Sequence, residues 1–296
     1  MYKIMISYLF LLFVLILTSC TKSIDEIPSD VEIINGFNVE WRKNVAETKK
    51  SVIREILNDM VYVKGGLFLM GATQEQEIYA RHNEKPAHYV QVSDYYIGRK
   101  ELTIEQIEIL LNTEFSSYER KQGAPDFTWD DWAYVMSVIE ECSNVMVDFP
   151  TEAQWEYAAR GGVNSKGYVY PGGNYIKDAV NCENELGLVD MAKGHSEWCK
   201  DAYNEYSNFP LVYNPYSIQG LGHVVRGGNV KSITEHTDYF DTYTTRDKFS
   251  LCYDDFRACR VSARSYWYDY QSPLGIAYSS WNTQISCRLV INVSKE

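Results

Sequence analysis

Histidine is scarce in this chain. Its five copies, His82, His88, His195, His223 and His236, are scattered, and no two cysteines stand in C-x-x-C spacing. A zinc cluster needs several such ligands converging on one ion, so it has little support. Positive charge is short as well: 28 basic residues face 40 acidic ones, a net charge of −12. A surface of that sign argues against nucleic acid and anionic headgroups as partners. No internal repeat, glycine-rich phosphate loop or G-x-S-x-G elbow is present, and no spacing favours a serine–histidine–acid triad. The acid pairs Asp130-Asp131, Glu140-Glu141 and Asp254-Asp255 read as solvated faces. With 296 residues the chain is long enough for one large domain or two small ones.

The N-terminal apolar run, residues 4–17, is too short to span a bilayer as a helix, which takes about 20 residues. It follows Lys3 and ends in Leu17-Thr18-Ser19-Cys20, which resembles the lipobox of bacterial lipoproteins. Residues 1–19 are then a lipoprotein signal peptide, and the Cys20 thiol takes the lipid. Residues 20–38, polar and containing Pro28, form a tether. The expected location is the bacterial cell envelope, exported and anchored to a membrane through lipid at Cys20. Six cysteines remain: Cys142, Cys182, Cys199, Cys252, Cys259 and Cys287. In an oxidising compartment disulfides are the default reading, and six cysteines allow fifteen connectivities.

Residues 39–60 carry apolar positions at Trp41, Val45, Val52, Ile53, Ile56, Leu57 and Met60, a helical period that predicts one amphipathic helix. Residues 61–72 alternate around Gly65-Gly66 and predict a hairpin. Helices are predicted over 103–112 and 129–141. The most specified stretch is FPTEAQWEYAARGG, residues 149–162. Thr151 and Gln154 form a capping box, Glu152 suits the first turn, Glu156 and Arg160 lie one turn apart, and Gly161-Gly162 ends the helix. Trp155 and Tyr157 bring large areas to bury. Twenty-four tyrosines suit a loop-rich fold filled with amphipathic rings, or an aromatic surface for peptide or glycan.

That stretch resembles the signature helix of the formylglycine-generating, sulfatase-modifying-factor family. The resemblance extends over residues 61–292. It includes Val63, Gly65, Gly66, Phe68, Met70 and Gly71, then Glu84, Pro86, His88 and Val90, then Tyr96, Ile97, Glu101 and Thr103. Residues 184–191 resemble N-E-L-G-L-Y-D-M, with Glu197 and Trp198 after them. Arg226-Gly227-Gly228 resembles the R-G-G strand, and Arg288-Leu289-Val290 the closing strand. About twenty-five residues after Gly228 have no usual counterpart in the family.

The resemblance implies an α+β fold, similar to C-type lectins and low in regular secondary structure. Its family-motif positions Thr151, Glu152, Trp155, Glu156, Arg160, Gly161, Arg226, Gly227, Gly228 and Arg288 then have structural roles. It implies a calcium held in part by Glu197, and a second in part by Asn181; the family's asparagine is replaced by Gly194. It also implies a Cys142–Cys287 bridge. Active members hold copper(I) on two cysteines after the R-G-G strand and oxidise a substrate cysteine to formylglycine. Here Ser232 and Phe256 fall at those two positions. The expectation is therefore a non-catalytic binding or scaffold domain with no favoured cofactor, meeting a peptide, glycan or envelope protein and no nucleic acid. The alternative is a copper-dependent oxidase using Cys252 and Cys259.

The tether is directly testable. Full-length chain made in a bacterium partitions into the detergent phase, and the Cys20→Ala form into the aqueous phase. Equal aqueous partitioning of both removes the lipoprotein reading.

Overall fold

A computed structural model describes residues 30–122, 127–179, 182–192, 194–207, 210–228, 259–267 and 285–293. The chain opens with strands β1 (Asp30–Ile34) and β2 (Phe37–Trp41), then helix α1 (Glu47–Asn58). Strands β3 (Met60–Val63), β4 (Leu67–Met70), β5 (His88–Gln91) and β6 (Tyr95–Gly98) follow. Helices α2 (Ile104–Leu111), α3 (Ser117–Gln122), α4 (Trp129–Ser143), α5 (Glu152–Ala159) and α6 (Ile176–Ala179) come next. The remaining strands are β7 (Ser196–Ala202), β8 (Val212–Tyr213), β9 (His223–Arg226), β10 (Arg264–Trp267), β11 (Ile285–Ser286) and β12 (Val290–Asn292). Among the described residues, no helix is long and apolar enough to cross a membrane.

Small sheets carry the fold. One has the order β10-β9-β7-β11, a second β12-β6-β3, a third β4-β5-β8, and β1-β2 is a separate hairpin. Among the described residues two large apolar clusters lie between them, with a smaller third at Tyr170. The first joins the hairpin to α1, α2 and α4 through Trp41, Ile53, Leu57, Ile107, Leu110, Trp132 and Ile139. The second surrounds α5 and includes Val63, Met70, Val90, Tyr95, Trp155, Tyr157, Leu188, Val224 and Val261. Each large side chain so buried contributes roughly 1.5–3 kcal/mol. Tyr95 ties the second sheet to α5 by donating its hydroxyl to the Gln154 carbonyl at 2.7 Å.

The helix caps follow the sequence. Thr151 Oγ1 accepts from Gln154 N at 3.2 Å, and Gln154 Oε1 accepts from Thr151 N at 2.9 Å. Thr103 caps α2 and Thr128 caps α4 in the same way. Gly161 takes φ 90° after α5, where glycine carries no Cβ penalty.

Three expectations change. Residues 39–60 are not one helix, and the stretch given to the tether is ordered from Asp30. Val39 and Trp41 are buried strand residues, and α1 begins at Glu47. Asn35 and Gly36 both take positive φ and turn the hairpin, the geometry an Asn-Gly pair favours between alternating apolar residues. Residues 61–72 are not a hairpin either. β3 pairs with β6 and β4 with β5, so the glycines mark a crossing between sheets. A Cβ on Gly65 would stand 2.4 Å from the Val92 carbonyl oxygen, a contact only glycine permits. Third, Cys142 and Cys287 are unbridged. The closing strand meets the segment after α4 at Asp148, paired with Val290 at 2.8 and 2.9 Å, while the Cys287 carbonyl accepts from Leu102 N. The register brings a different residue past α4 than a bridge requires.

Asp201, on β7, is buried at the N-terminus of α5. It accepts from Glu152 N at 2.8 Å and Ser217 N at 3.1 Å. Burial and the nearby Glu152 charge push its pKa up to about 7, against the pull of those two N–H groups and Arg264. The folded protein thus holds a proton that the unfolded chain releases near the usual carboxylate value. Its stability contribution is present at low pH and is lost as pH rises through about 7. Urea unfolding at a series of pH values should show wild type losing stability relative to Asp201→Asn between about pH 4 and 7. A pH-independent difference contradicts this assignment.

Candidate functional site

The resemblance places chemistry where the chain leaves β9 at Gly227-Gly228 and comes back at Cys259. Beneath that point lies α5, every residue of which is buried. Its two carboxylates take up arginines arriving from β9 and β10. Glu152 accepts from Arg226 Nε at 3.0 Å and from Arg264 Nε and Nη2 at 2.6 and 2.7 Å. Glu156 accepts from Arg226 Nη2 at 2.6 Å, Gly71 N at 2.7 Å and Arg160 Nε at 2.9 Å. Burial disfavours the Glu152 charge, but Arg264 and Arg226 overcome it and its pKa is lowered. Burial likewise opposes Arg264, yet Glu152 among others raises its pKa. The Arg264 guanidinium also lies over the Tyr206 ring at 3.9 Å and the Tyr203 ring at 4.5 Å.

Two further knots fix the neighbours. Arg260 donates from Nη2 and Nη1 to Glu84 at 2.6 and 2.8 Å, with Ser262 and Gln76 on the same carboxylate and guanidinium. Arg288 donates to Glu197 from Nη2 at 2.8 Å, and Trp155 Nε1 donates to the other oxygen at 2.7 Å. Burial opposes the Arg288 charge, but Glu197 keeps it protonated and raises its pKa.

Of the motif positions, Glu152, Glu156, Arg160 and Arg226 share one set of connected hydrogen bonds, Trp155 and Arg288 meet on Glu197 in a second, Thr151 caps α5, and Gly161 ends it. Glu197, an expected calcium ligand, faces a guanidinium and an indole N–H, a poor neighbourhood for a divalent cation. The room beside Gly194 is taken: a Cβ there would stand 2.8 Å from Glu101 Oε1. Among the described residues, no group of three or more His, Cys, Asp or Glu side chains is arranged to hold a metal. Cys20, Asn181, Cys252, Ser232 and Phe256 lie outside the described residues.

Cys259 is buried with Tyr170, Ala179 and Ala192. Its sulfur lies against Gly228, so the thiol stands beside the R-G-G strand despite its distance along the chain. Glu101 and His195 form a pair not foreseen from the sequence. Glu101 accepts from His195 N at 3.1 Å and faces His195 Nδ1 at 3.0 Å. Ser196 Oγ, next along, donates to the Gly227 carbonyl at 3.2 Å. The Glu101 motif could have drawn attention to its half of this pair; His195 falls at none of the motif positions and carried no signal.

A Cβ at Gly228 would stand 2.2 Å from the Cys259 sulfur. Gly228→Ala should therefore cost about 1–3 kcal/mol of unfolding free energy. Trimming the sulfur in Gly228→Ala/Cys259→Ala should recover part of it, as a double-mutant cycle in urea would show. Additive losses would mean that the two residues do not touch.

Comparison with known proteins agrees with this frame. Two curated proteins named serine/threonine-protein kinase pkn1 are similar. The one from Chlamydia pneumoniae is 28% identical over 235 residues, 64% of this chain and 36% of its own length. The one from Chlamydia caviae is 27% identical over 237 residues, with the same two shares. The chain thus spans about a third of the length of the curated relatives it matches. Among solved structures, Treponema denticola variable protein 1 superposes with a TM-score of 0.52 at 15% identity, covering 88% of this chain and 98% of that one. PvdO from Pseudomonas aeruginosa gives 0.53 at 15% identity, covering 79% and 94%. At such identities these two establish the fold alone, the formylglycine-generating-enzyme type. Residues 45–251, well over half of the chain, match the sulfatase-modifying factor enzyme 1-like domain. With its helix, R-G-G strand and arginine frame in place, the chain belongs to that family.

Proposed function

We propose that this chain is a non-catalytic binding or scaffold member of the sulfatase-modifying-factor family, held at the bacterial cell envelope by lipid on Cys20. The observation that carries this reading is the state of Cys259. Its thiol is buried among Tyr170, Ala179 and Ala192, with its sulfur packed on Gly228. Copper(I) chemistry needs two soft thiolates open to substrate. The aligned positions do not fit copper, because the Ser232 hydroxyl is a hard, protonated group and Phe256 offers no donor. Neither calcium nor copper has a part in this reading. The net charge of −12 speaks for a peptide, glycan or envelope protein as partner and against nucleic acid. The related kinases carry a similar region as about a third of their length, a placement suited to a binding module.

One observation favours the rival oxidase. Cys259 stands at the end of β9, where the family keeps its copper ligands. With Cys252 it would make a displaced pair.

A turnover assay separates the two. Purified chain, copper, oxygen, a thiol reductant and a peptide carrying Cys-x-Pro-x-Arg should yield no aldehyde by mass spectrometry. Conversion that disappears in Cys252→Ala or Cys259→Ala restores the oxidase.

A further inference from the structure

The sheet β4-β5-β8 has one face on the core and one in solvent. Met70 and Val90 are buried, and Phe68 packs on Tyr157 with ring centroids 5.1 Å apart. The register pairs Leu67 with Gln91, Gln91 with Tyr213, and Leu69 with Tyr89, which sets these alternate residues on the opposite face. There Leu67 is 56% exposed, Tyr89 53% and Tyr213 70%, with Leu211 two residues earlier at 37%. Tyr216, Ile218 and Leu221 continue the exposed apolar residues along the next loop. Such a concentration marks an interaction surface more often than a bare one.

The edge of the sheet says what fits it. β8 is the last strand, and among the described residues nothing pairs with its outer side. Asn214 N donates to the Gln91 carbonyl at 2.8 Å, which sets the phase of the parallel ladder. In such a ladder the N–H and C=O of one residue point the same way, and successive residues alternate. Val212 and Asn214 therefore face β5. Leu211 and Tyr213 turn their N–H and C=O groups to the outer edge. Pro210 and Pro215, which have no N–H, bound this short row on both sides.

We propose that this edge binds an extended peptide from another polypeptide, which adds as a strand beside β8. The proposal rests on the binding reading above. The outward backbone groups of Leu211 and Tyr213 would pair with the peptide's main chain, as in strand addition generally. Apolar peptide side chains at alternate positions would lie on the Tyr213, Tyr89 and Leu67 face. Basic flanking residues suit a chain of net charge −12, and a second copy, carrying the same net charge, is repelled overall. A glycan could stack on the tyrosines but does not match the repeat of the strand backbone.

The test uses the full chain and a fluorescein-labelled peptide, Lys-Val-Tyr-Val-Thr-Lys, read by anisotropy. Selective ¹⁵N labelling of leucine and tyrosine follows the Leu211 and Tyr213 amides. Binding should move both amide signals. N-methylation of alternate peptide amides should weaken it about tenfold or more, and Tyr213→Pro should do the same. Tyr89→Ser, a change on the exposed face that leaves the edge intact, should weaken it several-fold. Replacing both peptide lysines by glutamate should weaken it as well. Absent binding, equal binding of the N-methylated peptide, or unmoved Leu211 and Tyr213 signals overturns the proposal. Peptide binding that maps elsewhere refutes this edge and keeps the binding reading. Dimers in sedimentation that are lost in Tyr213→Pro would assign the edge to a second copy and also overturn it.

Discussion

Among the described residues four arginines, Arg226, Arg260, Arg264 and Arg288, are buried, and no core could hold them without carboxylates placed to meet each guanidinium. Stripping water from such ions costs several kcal/mol apiece, and only close, multiply hydrogen-bonded partners offset it. Glu84, Glu152, Glu156 and Glu197 supply those partners from a turn before β5, from α5 and from β7. Buried pairs of this kind add little net stability over apolar residues of the same shape, but removing one partner is costly. A chain threaded with any one of these strands out of register would leave an unpaired charge in the interior, an error of roughly 3–5 kcal/mol.

This frame explains why a short helix can be the hub of a loop-rich domain. The eight residues of α5 have no solvent face. Its apolar side chains fill the second cluster, and its two glutamates gather β9 and β10. The path out of β9 is set by contact as much as by charge. Gly227 takes φ 76°, and Gly228 leaves room for a sulfur. None of the residues closing the frame is one of the positions at which the family holds copper. The scaffold therefore stands independently of the chemistry, and loss of one does not entail loss of the other.

Local physics was legible where a signal is confined to a few neighbouring residues. Thr151 with Gln154 gave the cap of α5, and Glu156 with Arg160 gave an i, i+4 pair, found at 2.8 Å. The same kind of signal was present at Asn35-Gly36 and outweighed by the helical period of the residues after it. Gly65-Gly66 shows the opposite failure. A glycine pair between apolar alternations reads as a turn, yet here it permits one backbone to pass another from a different sheet. Nothing in the residues between Met60 and Met70 distinguishes those two uses.

By itself, the sequence determined the family, the position and capping of the hub helix, and the motif positions Glu152, Glu156, Arg160, Arg226 and Arg288. Capping and motif spacing are short-range, and those residues suffice to state them. Which carboxylate meets which arginine belongs to the tertiary structure, because Glu152 and Arg264, or Glu84 and Arg260, come together only when distant strands close on one another. The same holds for the missing bridge between Cys142 and Cys287, decided by the pairing of Val290 with Asp148. It holds too for Cys259 against Gly228 and for the edge at Tyr213, unpaired among the described residues: a thiol's surroundings and a strand's pairing depend on what other parts of the chain bring beside them.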